Sequence, residues 1–345
     1  LTVIDRIRIA LSNIEKVPAH KISSPPHQKR RASVAIIIRI WPNPSTVFRT
    51  DRSSSSLETP EISNLDDFWK LPWVKNGVPE ILYIKRALRD GDRWSGQMAF
   101  PGGKQDPEDV DDLDTAERET FEEVGFDLGN NEQFICVGAL DDLEVTTTFG
   151  KKLLMILCPF VFLQVTRESP PVEISGSEIA SAHWVPISTF FDPQLTQKRN
   201  PISIDLSSRL APKSWILQNI LKTLVGRMHF HCIDIPRFDS NQRLLPLPSE
   251  ATQGADVQTL RLWGLTLQMT SDLMDMMYRP EEKPPRRLDA LRPKFDYWDV
   301  NFFIWCFLKN NRVRYRRHRT DFANRRFVYC FIRYLSLLII RYKRY

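Results

Sequence analysis

Residues 100–126 read FPGGKQDPEDVDDLDTAERETFEEVGF, and this stretch decides how the rest of the chain is read. Between Asp106 and Glu123 stand ten carboxylates against one base, Arg118. So dense a field of one sign raises carboxylate pKa values and opposes compaction unless a cation joins it. Glu119, Glu122 and Glu123 fall at i, i+3 and i+4, so on a helix they share one face within reach of a single ion. Oxygen-only ligation suits a hard cation, Mg²⁺ or Mn²⁺, which keeps waters and bridges to substrate phosphates. A solvated acidic helix face is the plain alternative for three glutamates at this spacing. The context favours the ion. Gly102 and Gly103 form a turn that lets backbone come close to a ligand, and Arg118 beside the cluster can fix one carboxylate with a two-pronged bond.

Outward from this stretch, 33–41 (SVAIIIRIW) is dense in β-branched residues and reads as a buried strand, with 80–85 (EILYIK) as its partner. Between them, 42–65 is a Ser/Pro/Thr-rich loop. A helix is expected over 116–124 and further strands over 134–140, 153–165 and 181–186. Strands with a few helices inserted predict an α/β or α+β domain over 32–275. Residues 259–277 are expected to close it as an amphipathic helix, with Leu260, Leu262, Leu265, Leu267 and Trp263 in its core. At the other end, Ile4, Ile7, Leu11, Ile14 and Val17 recur every three or four residues, the period of one helix face. Asp5, Arg6 and Arg8 interrupt that run, so no targeting signal is read from it. Residues 19–32 read as a linker.

With 345 residues, 42% of them apolar and 26% charged, the chain can bury an ordinary core, which excludes extended disorder and a disulfide-stapled miniprotein. Five scattered cysteines without a C-x-x-C pair argue against a zinc knuckle and for a reducing, intracellular compartment, cytoplasmic or organellar. The net charge of +6 hides a division: residues 279–345 carry 18 Lys and Arg against 6 Asp and Glu, a net of +12, so residues 1–278 stand at −6. The expected organisation is an N-terminal helix and linker (1–32), a central domain (33–278) and a basic, aromatic-rich extension (279–345). In that extension two apolar stretches, 300–308 and 327–340, flank the basic KNNRVRYRRHR, and neither reaches the roughly 18 to 20 residues that span a bilayer. Three readings stay open for it: a solvated extension, a peripheral contact with anionic membrane, and, behind these, a nucleic-acid contact.

Other chemistries find no support. Ser95 is not in a G-x-S-x-G elbow, no P-loop spacing exists, and no Ser/His/Asp case can be built. Of the six histidines, only His229 and His231 are close, with no third ligand type beside them, and all six are read as non-catalytic.

The segment Arg118-Glu119-Thr120-Phe121-Glu122-Glu123-Val124-Gly125-Phe126 resembles the second half of the box of the Nudix hydrolases, with Thr120 where an apolar residue is usual. The first half is one residue longer than the general pattern, which leaves Glu108, Asp109 and Asp111 as candidates for the box's first acid. That longer loop, together with Leu82 to Ala87 and Gly96 to Gly103 upstream, is similar to the branch that cleaves coenzyme A and its thioesters. One residue too many lies between Arg86 and Gly96, and Trp94 takes a place often held by His. Downstream, 177–186 (SEIASAHWVP) and 261–266 (RLWGLT) look like later elements of that branch, and the resemblance runs over 33–275. It implies a mixed sheet sandwiched between helices and hydrolysis of a nucleoside diphosphate linked to another moiety. Glu119, Glu122, Glu123 and a carbonyl in the turn at Gly103 would then hold Mg²⁺ or Mn²⁺. Arg118 would orient a carboxylate. Glu178 resembles the extra carboxylate that these enzymes place opposite the box as base or further ligand, with Glu173 as its rival. The alternatives are another nucleotide substrate, an oxidised nucleoside triphosphate or capped RNA, or a catalytically weak nucleotide-binding module.

Overall fold

The computed structural model describes residues 1–42, 65–89, 95–146, 153–197, 201–205, 207, 214–236, 260–279, 281–282, 294–297 and 300–301. Its main elements are α1 (Val3–Lys16), β1 (Arg31–Trp41), β2 (Val78–Arg86), β3 (Met98–Ala99), β4 (Gly102–Lys104), α2 (Asp112–Val124), β5 (Phe134–Ala139), β6 (Leu143–Thr146), β7 (Leu153–Gln164) and β8 (Ile179–Pro186). There follow β9 (Ile202–Asp205), α3 (Trp215–Val225), β10 (Arg227–Phe230), β11 (Cys232–Ile235), β12 (Leu260–Trp263), α4 (Gly264–Asp275) and β13 (Lys294–Phe295). Two compact units result, one built from Leu1–Val145, Leu153–Asn200 and Cys232–Ala290, the other from Thr146–Lys152, Pro201–His231 and Leu291–Tyr345.

In the first unit β1 lies at the centre of an eight-stranded mixed sheet, antiparallel to β2 and β4 and parallel to β7. Successive side chains of a strand point to opposite faces, and β1 is apolar on both. Ile36, Ile38 and Ile40 join Tyr83, Val161 and Leu163 in packing against Ile7 and Leu11 of α1 and Leu267 and Leu273 of α4. Ala35 and Ile37 join Leu82 and Phe162 against Ala116 and Val124 of α2. A strand covered on both faces reads as a continuous apolar run rather than an alternation, which is why SVAIIIRIW carries so little polar punctuation. The sheet is thus sandwiched between helices, as the resemblance implied.

Residues 19–30 do not hang free as a linker. The His20 amide donates to Asp141 Oδ1 and the Ile22 amide to Asp142 Oδ2, each at 2.8 Å. Arg31 fastens the same strap: its Nε and Nη2 reach the two oxygens of Asp112 at 2.7 Å, and its Nη1 reaches the Ile22 carbonyl at 2.8 Å.

Residues 259–277 differ from the single helix expected. Leu260–Trp263 is a strand paired with β11, and the helix begins only at Gly264. Leu260 and Leu262 alternate with Arg261, which reaches Asp234 on the neighbouring strand at 3.0 Å, so the local period is two and not 3.6. Leu260, Leu262 and Leu267 are nonetheless buried, as expected of core residues.

The second unit contains a three-stranded sheet in the order β13, β10, β9. Ser203 Oγ lies 2.8 Å from His229 Nδ1, and His229 Nε2 lies 2.6 Å from Asp296 Oδ1. A Ser–His–Asp chain therefore exists where sequence order suggested none. Ser203 and His229 are cross-strand neighbours, and Asp296 also accepts the Arg227 amide at 2.7 Å. The chain of bonds ties the three strands together.

Among the described residues, Cys136, Cys158 and Cys232 are free thiols. No described helix is long and apolar enough to cross a membrane. The loop expected over 42–65 falls almost wholly outside the described residues, and so does the extension beyond residue 301.

Candidate active site

The acidic stretch folds because several of its carboxylates have local work. Asp111 is the N-cap of α2 and accepts the Leu113 and Asp114 amides at 2.8 and 2.9 Å, while Asp114 accepts the Val110 amide at 2.9 Å. Acidic residues in a first turn also complement the helix dipole. At the other end Gly125 takes a left-handed conformation, φ 76°, and its amide closes the last turn on the Phe121 carbonyl. Asp112 is taken by Arg31. Burial pushes its carboxyl up, but the Arg31 bonds and charge outweigh this, and its pKa is lowered.

Arg118 is the organiser of the face that remains. Its Nε and Nη2 grip Asp109 at 2.7 and 3.0 Å, Nη2 also reaches Glu119 at 3.2 Å and the Lys104 carbonyl at 3.2 Å, and Nη1 reaches Glu122 at 3.3 Å. Of the three candidates for the first acid, Asp109 is the one joined to Arg118, and Asp111 is spent as a cap.

Glu119 and Glu123 are one turn apart on the inner face of α2. Burial, aided by Glu122 and Glu178, raises the Glu119 pKa against the pull of Arg118. Glu123, only 3% exposed, accepts the Gly102 amide at 2.9 Å. Burial pushes it up to about 7; Glu119 and Glu178 add to the rise, while the Gly102 amide and Arg86 oppose it. Gly102 and Gly103 do not form the turn expected of them but begin β4, paired with Val34 and Ser33 of β1. Gly102 has φ 141°, and any side chain at Gly103 would overlap the Glu119 carboxylate, so the two glycines are what lets this strand seat against the acids. Glu122 is more exposed, at 57% of its side chain.

Glu178, at the start of β8, comes close enough to act electrostatically on both Glu119 and Glu123. Glu173 instead lies over Gly125 at the C-terminal end of α2, where its amide donates to the Val124 carbonyl at 2.9 Å. Sequence reasoning missed two cations. Arg86 acts on Glu123, and Arg89 donates from Nη2 to Glu178 Oε1 at 3.0 Å. Both positions depend on the pairing of β2 with β8, which no local pattern reveals.

Among the described residues no three acidic, imidazole or thiol groups are gathered as a ready-made ligand cage. The donor set still fits a hard divalent cation. Its members are all oxygen, and burial together with the charge of Glu178 raises the cost of ionising both the half-buried Glu119 and the buried Glu123, which a bound cation would relieve.

The family model of the NUDIX domain matches residues 73–206, a span that contains this whole constellation. The chain belongs to the Nudix hydrolases. It is 31% identical over 302 residues to the uncharacterized protein C14C4.10c of Schizosaccharomyces pombe, covering 87% of this chain and 80% of that one. Shorter matches link this chain to the mitochondrial coenzyme A diphosphatase NUDT8 of Mus musculus, 50% identical over 52 residues, and to the peroxisomal coenzyme A diphosphatase ndx-8 of Caenorhabditis elegans, 33% identical over 101 residues. These cover 15% and 29% of this chain, and 25% and 39% of the respective relatives. The Nudix box also explains its own departure. Thr120, where an apolar residue is usual, is fully buried, and its hydroxyl is satisfied by the Ala116 carbonyl one turn back at 2.7 Å.

Proposed function

We propose that the chain is a metal-dependent diphosphatase that hydrolyses the pyrophosphate bond of a nucleoside diphosphate linked to another moiety, with coenzyme A or its thioesters as substrate. The observation that carries the reading is the pair Glu119 and Glu123, half-buried and buried respectively and one turn apart with raised pKa values, against Gly102 and Gly103 of β4 and under the charge of Glu178. Glu119, Glu122, Glu123 and the Gly103 carbonyl would hold Mg²⁺ or Mn²⁺. When bound, such an ion offsets charge on the phosphoryl oxygens and lowers the pKa of an attacking water. Arg118 keeps the acidic face in shape, since it holds Asp109 while reaching Glu119 and Glu122. Glu178, whose charge acts on Glu119 and Glu123, would accept the proton of the attacking water. The narrower choice of coenzyme A is supported by the short matches to NUDT8 and ndx-8, and the mitochondrial and peroxisomal names of these relatives support an organellar setting.

The test is a panel of coenzyme A, nucleoside diphosphate sugars, dinucleotides, oxidised nucleoside triphosphates and capped RNA with Mg²⁺ or Mn²⁺, scored for phosphate-containing products. Coenzyme A should yield phosphopantetheine and an adenosine bisphosphate. Cleavage of another member with none of coenzyme A overturns the substrate, and cleavage of nothing overturns the activity.

A further inference from the structure

We propose that Arg89 is a positioning residue that holds Glu178 for proton transfer and keeps it out of the metal's ligand set. The inference rests on the hydrolase reading above.

The backbone of Glu178 is pinned from both sides. Its amide donates to the Ser175 carbonyl at 2.9 Å, and its carbonyl accepts the Ala87 amide at 2.7 Å. The second bond arises because β2 and β8 shift register between Lys85 and Arg86, so that the chain past Arg86 runs on along the start of β8. Arg89 is carried there by this extension. Its Nε and Nη2 both reach the Ser177 carbonyl, at 3.2 and 2.8 Å, and Nη2 reaches Glu178 Oε1 at 3.0 Å. The guanidinium thus spans a fixed backbone oxygen and the side chain of the next residue, which sets the direction of the carboxylate in a way that a single charge cannot.

The neighbourhood gives this fork a purpose. Ser175, whose carbonyl takes the Glu178 amide, donates its own amide to the Glu123 carbonyl at 3.2 Å, so Glu178 borders the acidic face, and its charge acts on both Glu119 and Glu123. A hard divalent cation there attracts any carboxylate within reach as a further oxygen ligand. A carboxylate spent in that way is a poor proton acceptor, because its lone pairs are directed at the ion. Arg89 competes for the same oxygen. The pair is half open to water, with 45% and 50% of the two side chains exposed, so its strength is that of an accessible tether and not of a buried structural bridge.

The experiment is a double-mutant cycle in the full-length chain: Arg89→Gln, Glu178→Gln and the pair, with Arg89→Lys as a conservative variant. Two readouts are taken, kcat and KM on coenzyme A, and Mn²⁺ affinity from electron paramagnetic resonance without substrate. Arg89→Gln should lower kcat about fivefold to tenfold, the scale of one exposed charged hydrogen bond, with KM within about twofold. In the Glu178→Gln background the same change should have no further effect. Arg89→Lys, which keeps the charge but not the fork, should recover part of the loss. Mn²⁺ should bind about threefold or more tighter in Arg89→Gln, the gain disappearing when Glu178 is also changed. Equal effects of Arg89→Gln in both backgrounds overturn the proposal, and so does a loss confined to KM, which would place Arg89 on the substrate itself. If the wild type cleaves nothing, the hydrolase reading fails, while the Mn²⁺ cycle still decides the tether: coupling between the two residues upholds it and additivity overturns it.

Discussion

Asp109 and Arg118 hold each other through two hydrogen bonds, Nε to Oδ1 at 2.7 Å and Nη2 to Oδ2 at 3.0 Å. Two further donors, the Asp106 amide and the Thr115 hydroxyl, reach Asp109 Oδ2 at 2.8 Å, so this carboxylate is saturated. The Arg118 bonds, with help from those donors and against the effect of burial, hold its carboxyl well below the usual range. Asp109→Asn removes the charge that Arg118 shares its bonds with, leaving the guanidinium to the carboxylates of Glu119 and Glu122. Stability in urea should fall by about 2 kcal/mol, the worth of a hydrogen bond to a charged group, and kcat by at least about tenfold as the guanidinium settles on the metal face. Asp111→Ala should cost about 1 kcal/mol as a lost helix cap and leave kcat alone. If Glu108→Gln lowers kcat while Asp109→Asn does not, the first acid of the box has been assigned to the wrong residue.

Glu123→Gln keeps an oxygen to accept the Gly102 amide and removes one charge from the face that would hold the ion. The fold should survive with an unchanged circular dichroism spectrum, because an uncharged amide is cheaper to bury at a site only 3% exposed. Turnover should drop by orders of magnitude, in line with the several kcal/mol a bound ion contributes to such transition states. Activity within a few-fold of wild type at saturating Mn²⁺ would remove Glu123 from the ligand set.

Arg31 joins three pieces of chain, with Asp112 at 2.7 Å, Asp142 at 3.2 Å and the Ile22 carbonyl at 2.8 Å. Arg31→Met takes the guanidinium from Asp112 and from Asp142, whose side chain is fully buried and keeps the Ile22 amide and Lys21. A loss of about 3 kcal/mol is expected, as for other buried pairs broken from one side. The sign with pH follows from Asp112, whose pKa is lowered on folding. A lowered carboxylate contributes stability that is complete above its unfolded value, about 4, and is lost as pH falls through the folded one. Melting temperatures of wild type and Asp112→Asn should therefore differ most at pH 6 to 7 and converge below about pH 4. A gap that is constant down to pH 3 would show that Asp112 acts through shape and not charge.

The acidic helix face was legible because three glutamates on one helix repeat need only local geometry to meet. The central strands were legible because SVAIIIRIW has no other way to bury its β-branched side chains. What spacing could not do was choose among Glu108, Asp109 and Asp111, since the answer depends on how an irregular loop folds back on Arg118. Nor could it find Arg89, which reaches Glu178 only through a register shift between strands about ninety residues apart in sequence. Leu260, Leu262, Leu265 and Leu267 fit a period of two at one end and of 3.6 at the other. The strand at Leu260–Trp263 becomes evident only once Cys232–Ile235 is there to pair with it. In the same way, Ser203, His229 and Asp296 meet by cross-strand pairing, which no motif of contiguous sequence encodes.

The N-terminal helix gives a last prediction, about packing rather than catalysis. Its sequence period places Ile7, Leu11 and Ile14 on one face, and these residues are buried in the same core as Ile36, Ile38 and the α4 residues Leu267 and Leu273. Polar bonds lock the docking: Asn13 Nδ2 donates to the Met276 carbonyl at 2.9 Å, and Arg6 Nη1 to the Met277 carbonyl at 3.3 Å. A helix so placed is a layer of the domain, and its removal uncovers one face of the sheet. Leu11, with no exposed surface, should cost about 2 to 5 kcal/mol as Leu11→Ala, the range for a large-to-small change in a packed core. Val17, 58% exposed just beyond the helix, should change stability by less than about 0.5 kcal/mol as Val17→Ala. Asn13→Ala should fall between them at about 1 kcal/mol, one hydrogen bond to a backbone carbonyl. Urea titration of the three variants checks the order. Equal, negligible effects at all three positions would mean that α1 is an appendage the domain does not need, and a steep loss at Leu11 makes it part of the core that covers this face of the sheet.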